Sequence, residues 1–541
     1  MPTSVSLTLL LLILLPFAVH AQEDAGLALT ILHTNDVHSH HEPNGDGHGG
    51  AARQATVVNA IRAEAEHVLL LDAGDRFSGT LFHQQYRGAD NVAIMNALGY
   101  DAMTVGNHEF DDGDDVLALF VGGLEFPALA ANVDASAVEA LAERLLPWAV
   151  FEIGETQVGV IGLVTPETVV ESRPGPELVF NDDLSGVTQA AVDALAAEGV
   201  NKIILLSHLG LYVDEPLAEQ VSGVDIIVGG HSHNLTSNLY AADAGEYPMH
   251  KLSASGEPVL IVHAGSDGQF VGRLDVSFNA DGIIGLWDGD VIHLSRFVPP
   301  EPTMQALVTE LSEPLDALRE TVVGQTATFL NGERDLCRSA ECSLGSVIAD
   351  ALRAETGTQI GLINAGAIAR SLPDGDPPDD PQLGEPADIQ LDDVMEALPY
   401  QELVSTFEIS GADLLAALEH SVAAVEETAP AFLQVSGLRM QWDGTQPPGS
   451  RVTGVEVLVD GEQYAPLDPN VTYRVASTNA LRRSGNGYAM LTDNTVQVYD
   501  FGRPLYQVVA DYIGASSPVQ SAAEGRITRL DAPTDDNAED D

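Results

Sequence analysis

The sequence predicts an α/β protein built as two domains, and three observations lead there. The chain has 541 residues, enough for two or three ordinary domains with sizeable cores. From residue 27 to about 295, short apolar runs alternate with Ala-rich amphipathic stretches, the pattern of buried strands between covering helices. After a Pro-bounded segment at 299–302, a second mixture of strand-like and helix-like runs extends to about residue 530.

Taken in order, the first element is expected to lie outside the fold. Residues 7–19 form one apolar run, broken by Thr8 and Pro16 and followed by Ala-Val-His-Ala at 18–21. This reads as a signal-peptide core with an expected small-residue cleavage site after Ala21, although no Lys or Arg precedes it. The run is short for a membrane span, so the expectation is an exported chain, periplasmic or extracellular, with no stable membrane anchor after cleavage. The strand runs then read 27-LALTIL, 68-VLLLD, 102-AMTV, 157-QVGVIGLV, 202-KIILLS, 224-VDIIVGG and 258-PVLIVHAG, with helical stretches at 51–66 and 186–198. An amphipathic helix at about 303–319 follows and reads as a linker. The predicted organisation is a signal peptide at 1–21, a first domain at 22–300, a linker helix at 301–322, a second domain at 323–530 and an acidic tail at 531–541.

Composition bounds the function. Asp and Glu number 81 against 23 Lys and Arg, a formal charge of −58, and Lys202 and Lys251 are the only lysines. A surface this acidic repels polyanions, which excludes a nucleic-acid polymer as partner. It suits a salty medium, where counterions screen the self-repulsion. The two cysteines, Cys337 and Cys342, form a close pair that reads as a local disulfide in an exported chain.

The chemistry gathers where the first domain's strands end. The first strand runs into His-Thr-Asn-Asp-Val-His, with Asp36 and His38. Asp75 follows the second strand in Ala-Gly-Asp, and Asn107, His108 and Asp111 follow the third in Gly-Asn-His-Glu-Phe-Asp. Ser-His supplies His208, and Gly-Gly-His-Ser-His supplies His231 and His233. Ligands in open α/β sheets bind at the carboxyl ends of strands, so these loops should converge. Aspartate, Asn and His without thiolates suit two divalent ions, Zn or Mn first and Co, Mg or Ca as alternatives, rather than a closed structural zinc. One carboxylate between two ions is the arrangement that clamps a phosphoryl group for in-line attack.

These blocks resemble the calcineurin-like metallophosphoesterases, and among them the 5′-nucleotidases. The resemblance rests on ILHTNDVHSH, LLLDAGDRFSG, MNALGYDAMTVGNHEFD and GGHSH. It implies an α/β/β/α sandwich followed by an α/β substrate-binding domain. It further implies that Asp36, His38, Asp75 and His233 hold one ion, and that Asp75, Asn107, His208 and His231 hold the other. His108 and Asp111 match the family's catalytic dyad, in which the Asp orients a His that stabilises the reacting phosphate. The activity implied is hydrolysis of a nucleoside 5′-monophosphate, a small-molecule partner, by in-line attack of a water activated by the metals. The alternatives are 2′,3′-cyclic nucleotides with 3′-nucleotides, or UDP-sugars and nucleotide diphosphates. His33, His40, His41 and His48 sit on or beside a polar loop and receive no role.

The resemblance continues through CRSAECSLGSVIADAL, where Arg338 occupies the place of a substrate-contacting Arg. INAGAIAR supplies Asn364, with Arg370 arriving one residue after the family's Arg position, which Ala369 fills. Tyr400, in LPYQELVSTFEI, takes the place of one aromatic of a base clamp. In TNALRRSGNGY the opposing aromatic is Ala480, or Leu481 with a one-residue shift, and Asn486 replaces a ribose-binding acid.

Overall fold

Strands buried on both faces are apolar at nearly every position, and the strand Val68–Asp72 shows why. Leu69 and Leu71 point into a core shared with Ile31, Val160, Ile204 and Val228, whereas Leu70 meets Leu32, Val58 and Ile94 on the helical side. Each such side chain, removed from water, contributes about 1.5–3 kcal/mol. The computed structural model describes residues 26–531 except 241, 243, 374, 376, 377, 379, 380, 401, 460–462 and 484, and leaves out the side chains of 170 and 171. The expected signal peptide and residues 532–541 of the expected acidic tail lie outside the described residues.

A seven-stranded sheet runs in the order Ile284–His293, Phe270–Phe278, Leu27–Thr34, Val68–Asp72, Ala102–Thr104, Ala128–Leu129, Leu145–Leu146. It faces a six-stranded sheet ordered Met249–Leu252, Pro258–Val262, Ile226–Gly229, Ile203–His208, Thr156–Val164, Trp148–Ile153. Ile204 and Leu206 enter the core between the sheets, while Ile203 and Leu205 pack with Ala191, Leu195 and Leu217 from the helices Leu184–Ala197 and Leu211–Gln220. Helices Ala51–Glu64 and Ala89–Leu98 contribute to the opposite outer layer. The result is the four-layer α/β/β/α sandwich.

The central strands are parallel: Leu27–Thr34 pairs with Val68–Asp72, and that strand with Ala102–Thr104. Ile203–His208 lies parallel between Thr156–Val164 and Ile226–Gly229. All the loops that follow these strands therefore leave from carboxyl ends.

The stretch read as one linker helix is two. Pro302–Ser312 and Leu315–Arg319 are separated at Glu313 and Pro314. Proline has no amide hydrogen, and its ring crowds the preceding turn, so it ends one helix and starts another. The first of the two is capped by Glu301, whose carboxylate accepts from Met304 N at 2.7 Å. It packs on Ala51–Glu64 and Ala89–Leu98, whereas Leu315–Arg319 touches both Leu81–Tyr86 and Leu391–Ala397.

The second half holds a five-stranded sheet ordered Leu433–Ser436, Ile360–Asn364, Thr472–Thr478, Val404–Ser410, Val496–Tyr499, covered by the helix Ser343–Thr356, on which Leu505–Ala515 packs in turn. A four-stranded sheet adjoins it: Gln463–Pro466, Val452–Val459, Leu438–Trp442, Ile527–Arg529. Cys337 and Cys342 are joined in a disulfide just before the helix Ser343–Thr356.

Candidate metal centre and the cleft facing it

Short parallel strands must turn sharply to bring their loops to one point, and the backbone shows where. Asp36, His38, Asp75, His231 and His233 all adopt left-handed conformations, with φ of 49°, 50°, 57°, 72° and 55°. They are five of the twelve non-glycine residues with positive φ among the described residues, so local backbone strain concentrates on the expected ligands. Such strain persists only where the surroundings over-determine it.

The loops meet as the strand ends required. Donor atoms of Asp36, His38 and His233 lie within 4.8 Å of one another, and those of Asp75, His208 and His231 do the same. A third such group, His38, Asp75 and His108, links them. Asp75 thus sits between the two ends of the cluster. His208 Nε2 is 3.1 Å from Asp75 Oδ2, and His231 Nδ1 is 3.0 Å from Asn107 Oδ1. His38 donates Nδ1–H to the Phe77 carbonyl at 3.0 Å, which leaves its Nε2 facing His233 Nε2 at 3.0 Å.

Most protonation states agree with a cation-binding centre, the departure being Asp36, whose carboxyl burial pushes up to about 8. Burial pushes the His38 ring down to about 4 and the His231 ring down to about 3, and burial with the neighbouring His38 holds His233 well below its usual range. These imidazoles are neutral and offer lone pairs. Burial alone would raise Asp75, but His208 and His108 outweigh it and keep the carboxyl far below its ordinary value. Burial similarly opposes the charge on His208, yet Asp75 and Asp36 push that ring up to about 10. The proton there occupies a place that a divalent cation can take. The buried Asn107 Nδ2 and His108 Nε2 make no hydrogen bond, as expected of N–H donors whose partner is an anionic substrate. The donor set, carboxylates with neutral imidazoles and one amide, fits divalent ions.

His108 and Asp111 form a separate pair. His108 Nδ1 lies 2.7 Å from Asp111 Oδ2, and Asp111 also accepts from Ser78 Oγ at 2.6 Å and Ser172 Oγ at 2.7 Å. Burial would lower the His108 ring, but Asp111 and Asp75 overcome it and push the ring up to about 10. The unpartnered Nε2 is therefore a cationic N–H in the cluster.

Two supports were not visible in the motifs. Asn35 donates Nδ2 to Asp36 Oδ2 and to the Gly265 carbonyl, both at 2.6 Å, while its Oδ1 accepts from Ala264 N at 2.9 Å. The fully buried Glu109 carboxylate accepts four backbone amides: Arg76 N at 2.7 Å and Phe77 N at 3.0 Å on Oε1, Asp75 N at 3.0 Å and Gly106 N at 2.6 Å on Oε2. One side chain thereby ties the Asp75 turn to the loop carrying Asn107 and His108. Glu109 was in plain sight inside the motif, but its partners are main-chain amides that no sequence pattern displays. Glu109→Gln turns an NH₂ toward two of those donors, and each unsatisfied buried donor costs roughly 1–3 kcal/mol. The variant is expected to lose Tm and to retain less metal, measured by thermal unfolding and elemental analysis. A Tm and metal content equal to those of the parent would show that the four-amide contact does not hold the turn.

A cleft of about 200 Å³ opens on the cluster, lined by His38, His108 and His233 on one side and by Leu403, Asn479 and Arg483 of the second domain on the other. The structure does not bring the five expected substrate contacts to this lining. Arg338 donates Nη1 to the Thr428 carbonyl at 3.3 Å. Asn364 is buried at the carboxyl end of Ile360–Asn364. Arg370 is engaged by Asp393 at 3.1 Å and Glu396 at 2.8 Å. Tyr400, 58% exposed, lines a second cleft with His40, Phe82 and Arg319. Asn486 has φ 54°, and its carbonyl accepts from His420 Nε2 at 2.8 Å. Ala480 is exposed, and Leu481 is 1% exposed in the core, so Leu481 is not the opposing face of a clamp.

Of the four histidines given no role, His33 sits beside the polar loop, at the end of the first strand. It is fully buried on the first strand, with Nε2 2.9 Å from the Tyr247 hydroxyl and the two rings stacked. The alternation of the strand turns it inward.

Comparison with known proteins matches this arrangement. Residues 29–235 match the calcineurin-like phosphoesterase family, and residues 322–493 match the 5′-nucleotidase C-terminal domain family. The chain is 36% identical to snake venom 5′-nucleotidase of Naja atra, across 92% of this chain and 98% of that one. Among solved structures it is similar to a 5′-nucleotidase precursor from Thermus thermophilus, at 38% identity and TM-score 0.59, covering 94% of this chain and all of that one. It is also similar to the NAD nucleotidase of Haemophilus influenzae, at 26% identity and TM-score 0.78, covering 93% and 99%. With both halves matched in order and Asp and His gathered at the strand ends of the first, this chain belongs to the 5′-nucleotidase family of metal-dependent phosphoester hydrolases.

Proposed function

We propose that this enzyme hydrolyses nucleoside 5′-monophosphates to nucleoside and phosphate in an exported, periplasmic or extracellular setting. The observation that carries the reading is the convergence of Asp36, His38, Asp75, Asn107, His208, His231 and His233 beside the His108–Asp111 pair, at a cleft that the second domain faces. Asp36, His38, Asp75 and His233 serve one ion, and Asp75, Asn107, His208 and His231 the other, with zinc or manganese as the preferred pair. When bound, the ions supply Lewis acidity that polarises the phosphoryl group and acidifies the attacking water. His108 donates from Nε2 to a phosphoryl oxygen as charge develops, and Asp111, held by Ser78 and Ser172, keeps the ring oriented and charged. Arg338, Asn364, Arg370, Tyr400 and Asn486 do not line the cleft as the domains stand here, so they are proposed as substrate contacts of the second domain in an arrangement that turns them toward the metal cluster. The acid-rich chain with a disulfide suits an oxidising, salty compartment. Among the described residues no helix is long and apolar enough to cross a membrane.

One observation favours a second reading, a broader nucleotide or cyclic-nucleotide hydrolase. The position that the resemblance sets opposite Tyr400 is Ala480, which is exposed and offers no ring, and Leu481 is buried. Losing one face of a base sandwich removes roughly 1–3 kcal/mol of stacking, about 5- to 150-fold in affinity. The test is hydrolysis of nucleoside 5′-monophosphates, 2′,3′-cyclic nucleotides, UDP-glucose and a base-free monoester, each with and without chelator, with inorganic phosphate and the organic products (nucleosides, nucleoside monophosphates, glucose 1-phosphate) all quantified. Chelator-sensitive release from 5′-monophosphates, with a modest preference over the base-free ester, is expected. Ala480→Phe should lower KM for a purine monophosphate and leave the base-free ester unchanged. Cleavage of cyclic nucleotides to 3′-nucleotides, or of UDP-glucose to UMP and glucose 1-phosphate, with nucleoside 5′-monophosphates left intact, would replace the first reading with the second.

A further inference from the structure

Arg483 reaches the metal-facing cleft by a route that no motif announces. Its Nε donates to Asp500 Oδ2 at 3.0 Å. Asp500, 3% exposed, also holds Arg482 and accepts from Ser405 Oγ at 2.7 Å, so the anchor is fixed from two further sides. The guanidinium carbon of Arg483 lies 5.4 Å from the centre of the Phe501 ring. That ring in turn stands 4.5 Å from the His233 ring and 5.5 Å from the His231 ring. A chain segment of the second domain therefore rests directly on the ligand histidines.

Among the described residues, Arg483 is the only Lys or Arg lining this cleft, which it shares with His38, His108, His233 and Asp267. The position is unusual in a chain with 23 Lys and Arg against 81 Asp and Glu. An arriving phosphate ester meets acidic repulsion over most of this surface, and Asp267 extends it to the cleft. A cation at that lining offsets the repulsion, and a guanidinium presents several N–H donors matched to phosphate oxygens. Anchoring through Nε fixes the plane of the fork, so less rotamer freedom is lost when an anion arrives. In this arrangement of the domains Arg338 is turned to the Thr428 carbonyl and does not line the cleft.

We propose that Arg483 is an anion-binding residue of the active cleft, contacting a phosphoryl oxygen of the substrate and of the released phosphate, with Asp500 positioning it. The proposal rests on the nucleotidase reading, and its test is chosen to fail separately. Inorganic phosphate is titrated calorimetrically into the metal-loaded full-length protein, with metal content measured on the same samples. Arg483→Met should weaken phosphate binding about 10-fold at unchanged metal content, the scale of one charge-assisted contact discounted for partial exposure. Arg483→Lys keeps the charge without the anchored fork and should fall between the two. Arg439→Met removes the same charge at an exposed residue stacked on Tyr464, 4.0 Å from its ring centre, and should bind phosphate as the parent does. Unchanged binding in Arg483→Met, an equal loss in Arg439→Met, or no phosphate binding by the parent would each overturn the proposal. A parent that hydrolyses no nucleotide, yet binds phosphate through Arg483, refutes the nucleotidase reading and leaves the anion site standing.

Discussion

Asp75→Asn is expected to abolish measurable turnover and to remove both ions together. Asp75 stands within ligand distance of His208 and His231 on one side and of His38 and His108 on the other, and its carboxyl is held ionised by surrounding imidazoles. The amide keeps the shape and loses the charge, so the cluster retains neutral imidazoles with Asp36 as its remaining ligand carboxylate. Asn107→Ala, by contrast, touches only the His208–His231 end and should weaken one ion more than the other. Elemental analysis of the purified variants separates these outcomes from simple misfolding when read beside Tm. In the parent, a strong chelator should stop phosphate release, and Zn, Mn or Co should restore it. Full activity in metal-free protein, or in Asp75→Asn, would sink the two-ion assignment.

His108→Ala should lower kcat by roughly 10²–10³ while KM and metal content stay near the parent values, the usual scale for losing one preorganised electrostatic partner. The prediction comes from geometry: His108 Nδ1 is committed to Asp111 at 2.7 Å, and the buried Nε2 is the one ring nitrogen left to face the reacting phosphate. Asp111→Asn should cost less, because Ser78 and Ser172 still hold the side chain in place. Steady-state kinetics on a nucleoside 5′-monophosphate reads both. Near-parent turnover in His108→Ala would make this ring structural and require another group to meet the developing charge.

The order of chemistry along the chain is legible in the residues themselves. A ligand immediately after a buried parallel strand has few places to go, because the strand sets the position of its carboxyl end and a one- or two-residue turn leaves no slack. That is why Asp36, Asp75, Asn107, His108, His208 and His231 come together as the motifs indicate. The layered class is readable for the same reason: runs such as 68–72 and 203–208 are apolar on both faces, which only a doubly covered sheet satisfies. The expected single linker helix is not what forms, because an amphipathic period persists across Pro314 while the missing amide breaks the helix there.

By itself, then, the sequence determined the two-domain α/β class, the metal-type donors and the spacing of the His108–Asp111 pair, all properties encoded within a few residues of each other or of a strand end. Tertiary structure alone decided what meets across long intervals. Glu109 gathers main-chain amides that have no side-chain signature, Leu481 turns inward while Ala480 faces solvent, and Phe501 and Arg483 lie against histidines from far earlier in the chain. The last of these contacts depend on how the two domains are set against each other, and local periodicity carries no record of that.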